Sequence, residues 1–175
     1  MRLDDRELVS LAKRGDEAAF HEIVERYGST LYRLAVSLLG NAADAEDALQ
    51  ETFSGAFRAI KKFEGRSSLK TWLTRILVNQ VSRGHRTRAR FKAVRLDDAP
   101  VSSGDSAEAS GRRMDVLAAL ESLPPEHREV IALREMQGMS YEEIAEVLGV
   151  PRGTVESRLF RARRALRDRL RDYLT

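Results

Sequence analysis

The sequence contains no cysteine, and that absence removes two kinds of chemistry at once. Neither a disulfide framework nor a thiolate metal site can be built, which fits a chain working in a reducing cytosol. His21, His85 and His127 are scattered without ligand spacing, so no metal and no other cofactor is expected. Long apolar runs are missing as well. Nothing approaches the roughly 20 residues that a membrane-crossing helix needs, and Met1 is not followed by a signal-peptide pattern. A cytoplasmic protein with no membrane insertion is the expectation. There is no alternating strand pattern, no internal repeat and no catalytic constellation, so the chain does not read as an enzyme.

What is present is charge and helical periodicity. The 175 residues are 42% apolar and 33% charged, enough for one ordinary domain or two small helical ones. The net charge of +3 conceals a block structure. Residues 1–65 are net −3, 66–95 net +9, 96–150 net −8 and 151–175 net +5. Two basic blocks on separate stretches of chain suggest two contact points on one polyanion.

The stretch 140–170 organises the rest. Ser140 with Glu143 three residues on forms a capping box, Ile144, Ala145 and Leu148 recur at helical spacing, and Gly149 closes the segment. Pro151 is tolerated at the start of a second helix carrying Val155, Leu159, Ala162, Leu166 and Leu170. Two short-linked helices of this kind predict a helix-turn-helix. At about 100° per residue, Val155, Leu159 and Ala162 share one side and Ser157, Phe160, Arg161 and Arg164 the other. Arg152, Thr154, Glu156 and Arg158 occupy the leading end and the flanks. Hydrogen-bonding and cationic groups in that arrangement suit the major groove. The bland alternative is a solvated basic helix in a bundle.

Upstream, a short helix over 3–14 ends at Gly15, and Asp16 caps a second that runs to Gly40. Asn41 begins a third, with a broad apolar face of Ala45, Ala48, Leu49, Phe53, Ala56, Phe57 and Ile60. Opposite it, Asp47, Gln50, Glu51 and Ser54 form a polar stripe, which spacing alone reads as a solvated face. A loop over 63–68 follows, and Ser67 or Ser68 caps a fourth helix bearing Leu69, Trp72, Leu73, Ile76, Leu77 and Val81. Its other side carries Lys70, Arg75, Asn79, Arg83 and Arg86. A cationic helix behind a Gly/Ser loop suits single-stranded nucleic acid; Trp72 shares the phase of the leucines and reads as core.

The composition then shifts to Ser, Asp, Ala and Gly without periodicity, which marks a flexible linker over 96–112. The expected division is an N-terminal helical domain over 1–95, that linker, and a C-terminal helix-turn-helix domain over 113–175. In the last, Met114, Leu117, Leu120 and Leu123 start the core, and Pro124-Pro125-Glu126 opens a helix burying Val130, Ile131 and Leu133. The fold class is all-α.

Nearly the whole chain resembles an extracytoplasmic-function sigma factor of bacterial RNA polymerase. The resemblance is carried by DAEDALQETF, FEGRSSLKTWLTRILVN and LPPEHREVIALREMQGMSYEEIAEVLGVPRGTVESRLFRARRAL, in that order and split by an acidic linker. It implies that Asp47, Gln50 and Glu51 grip the β′ clamp helices of the polymerase core, with the β subunit also a partner. It implies that Phe63, Arg66, Ser67, Arg75, Asn79 and Arg83 hold the unwound strand of the minus-ten element. The recognition helix, through Arg152, Thr154, Glu156, Ser157, Arg158, Phe160, Arg161 and Arg164, is implied to read the minus-thirty-five duplex. Asp97, Asp98 and Asp105 of the linker would lie in the polymerase cleft, and an anti-sigma factor is an implied partner. The chain departs from the family pattern at Arg83, where Asp or Asn is usual, and at Glu156, where some members carry a basic residue. A rival reading is a two-domain helix-turn-helix regulator of the response-regulator or quorum-sensing type, binding duplex DNA only. A purely protein-binding helical adaptor leaves both basic blocks unexplained.

Overall fold

Local capping chemistry sets where the helices begin and end. The computed structural model describes the backbone over 3–92 and 118–171, and side chains over 3–83 and 118–171. Helix α1, Asp5–Lys13, opens on Asp4, which accepts from the Glu7 N–H while Glu7 accepts from the Asp4 N–H, both at 2.8 Å. That reciprocal pair satisfies two donors that a helix start otherwise leaves without partners. Asp16 opens α2, Glu17–Leu39, by accepting from the Ala19 N–H at 3.0 Å. Gly40 ends α2 at φ 76, a left-handed conformation that glycine adopts without a Cβ penalty. Asn41 caps α3, Ala42–Ala59, through the Asp44 N–H at 2.9 Å. A 3-10 turn, Ile60–Lys62, leads to the loop, and Ser68 starts α4, Leu69–Lys92, by accepting from the Thr71 N–H at 3.0 Å.

These four helices close on a core that includes Leu8, Ile23, Leu31, Leu34, Ile60, Leu73 and Leu77, all buried. One expected core position differs. Phe57 is 51% exposed and meets Phe20 edge-on, ring centroids 5.0 Å apart. The apolar face read along α3 is wider than the groove that α2 and α4 offer it. Trp72 is partly buried, its ring 4.8 Å from that of Phe63.

In the second domain a helical turn at 118–121 precedes α5, Pro125–Ile131, with Pro125 in its first turn. A π-helical turn, Ala132–Met136, then leads to α6, Tyr141–Leu148. Ser140 and Glu143 make the expected capping box, and Gly149 stands at φ 65 beyond the helix end. Helix α7, Arg152–Arg169, follows Pro151 and buries Val155, Leu159 and Ala162 against α5 and α6. The fold is all-α, two helical domains of which the second holds the helix-turn-helix α6–α7; no strand occurs among the described residues. The linker over 96–112, with Asp97, Asp98 and Asp105, lies outside the described residues. So do Met114 and Leu117.

The two domains are docked on each other, α4 against α6 and α2 against the π-helical turn. The Gln137 amide donates to the Thr30 carbonyl at 3.3 Å, and the Thr71 hydroxyl to Glu143 at 3.2 Å. Lys70 donates its ammonium to the Gln137 carbonyl. Arg128 reaches the Leu38 carbonyl at 3.2 Å, one of the carbonyls that the end of α2 leaves without a helical partner.

Candidate nucleic-acid and polymerase interfaces

Helix α7 presents the face that its wheel implies. Val155, Leu159 and Ala162 are no more than 1% exposed, while Ser157, Phe160, Arg161 and Arg164 point to solvent. Phe160 is 69% exposed, the most open large apolar side chain named among the described residues. Thr154 and Arg158 are half-buried. Arg158 lies near Glu129 of α5, whose carboxyl is pushed up by burial against the opposing pull of the Arg158 charge. At the leading end, Arg152 is gripped from two sides: Glu142 of α6 at 2.7 Å and Glu156 at 2.9 Å. Glu156 is thus engaged by a neighbouring cation, and Glu142 was not legible as part of this surface. Its contact comes from another helix, which periodicity along α7 does not report.

On α4, Arg75, Asn79 and Arg83 are exposed at successive i+4 steps, a row of about 6 Å spacing. The loop before α4 is brought together only in part. Arg66 is exposed and pairs with Glu64 at 2.6 Å, and Ser67 is half-buried. Phe63 is only 9% exposed and packs against Trp72, so its ring belongs to the loop's support rather than to its outer surface.

Between that loop and α1 lies an open cavity of about 700 Å³, lined by Arg6, Val9, Ser10, Lys13, Phe63, Ser67, Ser68 and Leu69 among others. Its lining mixes the apolar Val9, Phe63 and Leu69 with the Ser10, Ser67 and Ser68 hydroxyls, the cations Arg6 and Lys13 and the carboxylates Asp5 and Glu64. Helix α1 is anchored at its start: Arg26 donates to Asp5 and to the Leu3 carbonyl, both at 2.7 Å, and the Tyr27 hydroxyl donates to Asp5. Burial and that contact push the Tyr27 phenol up from its ordinary value. The α1 wall was missed in the sequence, although Arg6, Ser10 and Lys13 at i, i+4 and i+7 were a readable stripe.

On α3, Asp47, Gln50 and Glu51 are all exposed and make no ion pair with another described residue. Their backs are covered by Ala45, Thr52, Phe53 and Ala56, which are buried. The stripe is therefore a rigidly mounted acidic and amide surface.

Two family models match this chain: Sigma-70 region 2 over residues 23–91, and Sigma-70, region 4 over residues 113–166. The RNA polymerase sigma-H factor of Pseudomonas aeruginosa is 38% identical, covering 97% of this chain and 95% of that protein. The ECF RNA polymerase sigma-E factor of Escherichia coli is 38% identical over the same shares. Among solved structures, the sigma factor RpoE in complex with the anti-sigma factor NepR from Bartonella quintana aligns with TM-score 0.74 at 31% identity, covering 87% of this chain and 96% of that one. CnrH in complex with the cytosolic domain of CnrY aligns with TM-score 0.74 at 32% identity, covering 96% and 97%.

Proposed function

The chain belongs to the sigma-70 family and is an extracytoplasmic-function sigma factor, and from that premise we propose how its surfaces divide the work. A sigma factor directs RNA polymerase to promoters. The domain over 1–95 binds the polymerase core and the minus-ten element, and the domain over 113–175 binds the minus-thirty-five element. The residues 96–112 tether the two. Asp47, Gln50 and Glu51 meet the β′ clamp helices. The α4 row with the loop cavity holds the unwound strand, where α1 contributes the second wall. Ser157 and Arg161 address bases and Arg164 the phosphates, while Arg152 is delivered in a fixed direction by Glu142 and Glu156. The β subunit and an anti-sigma factor complete the partners; the Bartonella quintana sigma factor named above is in complex with an anti-sigma factor.

The observation that carries this reading is that two exposed cationic rows, on α4 and α7, stand on separate domains. One polyanion-binding surface suffices for a duplex-only regulator; a second, on the N-terminal domain, supports strand capture. The chain itself needs no catalytic group in this role, since phosphodiester chemistry belongs to the polymerase. No helix among the described residues is long and apolar enough to cross a membrane, and a cytoplasmic place of work follows from the partner. The test is to incubate the protein with core polymerase and a promoter library and map transcript starts. Starts clustered at a shared two-part sequence support the reading; a protein that binds duplex fragments but starts no transcript is the rival regulator.

A further inference from the structure

The leading end of α7 holds a charge cluster that links the two helices of the helix-turn-helix. Arg152 is the first residue of α7. Its Nη1 lies 2.7 Å from Oε1 of Glu142 on α6, and its Nε donates to Oε1 of Glu156 at 2.9 Å. The Arg152, Glu142 and Glu156 side chains are 60%, 62% and 48% exposed. Ion pairs this open to water add little to stability, and a cation at a helix start works against the helix dipole. The cluster is better explained by what it presents outwards. No hydrogen bond or ion pair among the described residues uses Arg152 Nη2 or Glu156 Oε2. The first can only donate, and the ionised second can only accept.

Residues at the start of a recognition helix are the ones that reach base edges. Glu156 also borders an open cavity of about 550 Å³ together with Phe160 and Arg164, so its carboxylate adjoins the solvent-facing side of α7. Turned to phosphates, a carboxylate lowers affinity by like-charge repulsion. Turned to a cytosine edge, it accepts from the N4 amino group. Guanine O6 and N7 both accept from a guanidinium, whereas thymine offers O4 alone. A C·G pair therefore matches both open groups of the cluster. We propose that Glu156 and Arg152 form a composite reader of one C·G base pair in the upstream element. Glu156 accepts from cytosine N4 and Arg152 donates through Nη2 to guanine. Glu142 is a positioning residue that acts through Arg152. The proposal rests on the sigma-factor reading for which DNA element this is, but not for the base preference itself.

The test is binding of holoenzyme to a duplex library randomised across the upstream element, read as base preference at each position. The wild type is expected to prefer C·G at one position. Glu156→Gln should cut discrimination for cytosine there at least about fivefold and move the preference towards adenine, whose N6 and N7 suit a Gln amide. Arg152→Lys keeps the charge and loses the planar fork, and Glu142→Gln releases Arg152 on one side. Each should weaken the preference at that same position and leave the other positions and the melting temperature unchanged. A merely structural Glu142 would lower binding to all sequences alike. No C·G preference in the wild type, a Glu156→Gln profile identical to it, or a Glu142→Gln loss spread evenly over the element would overturn the proposal. Should the chain not join polymerase, the same library is read with the full chain alone. Transcription by the wild-type holoenzyme scores the sigma-factor reading separately: a C·G preference that follows Glu156 with no transcript would keep the reader and remove that reading.

Discussion

The two carboxylate oxygens of Glu143 serve two different domains. Oε2 accepts from the Ser140 N–H at 2.8 Å and so caps its own helix, while Oε1 accepts from the Thr71 hydroxyl at 3.2 Å, 72 residues away. One side chain thereby starts the helix-turn-helix and ties it to the start of α4. The Ser140 N–H, first among the causes, holds the Glu143 carboxyl below its ordinary range, with help from the Ser140 and Thr71 hydroxyls and the Lys70 charge.

A pH dependence follows from that shift. A carboxyl lowered in the folded state contributes stability that is fully present above its unfolded pKa and is lost as pH falls through the folded one. The ordinary value is 4.5, so the contribution should be constant at neutral pH and fade below that point. Glu143→Gln should therefore melt below the wild type near pH 7, with the gap closing as pH falls past the ordinary carboxylate range. Melting curves of both proteins across the acid range check this; an unchanged gap at the acid end contradicts it.

Adjacent residues on α7 should behave oppositely. Leu159 is 1% exposed and Phe160 is 69% exposed. Leu159→Ala should cost about 2–5 kcal/mol of stability by opening a cavity. Phe160→Ala should leave chemical denaturation within about 0.5 kcal/mol of wild type while weakening promoter recognition. Equal destabilisation by the two changes would place Phe160 in the core.

Base reading and phosphate anchoring should separate on the same helix. Arg161→Ala should cost about 1–3 kcal/mol on the preferred upstream element and relax preference at one position. Arg164→Ala should weaken all sequences alike and reduce the salt slope by about one unit. Binding of holoenzyme to a library of upstream elements distinguishes them, and identical profiles would refute the division.

Much of this was legible because capping and periodicity are local. Asp16, Asn41, Ser68, Ser140 with Glu143, and Gly149 mark their helix ends by contacts within four residues. Val155, Leu159 and Ala162 declared the buried side of α7 by phase alone. What escaped was long-range. Lys70 reads as one more cation on a solvated helix, and nothing in its neighbours names Gln137 as its partner. Phe63 entered only through the family resemblance, and its packing against Trp72, nine residues on, comes from the return of α4. The α1 wall escaped because nothing along the chain reports that the loop at 63–68 folds back to face that helix.

That wall gives a further test. Arg6 and Lys13 line the cavity beside Ser67 and Ser68. Replacing both by Ala should lower affinity for a single-stranded minus-ten oligonucleotide in holoenzyme and reduce the dependence of log affinity on log salt by up to about 1.4. Duplex minus-thirty-five binding should be unaffected. A double variant with wild-type strand affinity and salt slope would remove α1 from the site.

The most direct measurement is the affinity of core RNA polymerase for the wild type and for Asp47→Ala with Glu51→Ala. Both residues are exposed and outside the packed core, so the double variant should keep its melting temperature. The account predicts that the wild type assembles with core polymerase and that the double variant binds at least about tenfold more weakly, some 1.4 kcal/mol. A wild type that does not bind core polymerase, or a double variant that binds it as well as the wild type, would contradict it.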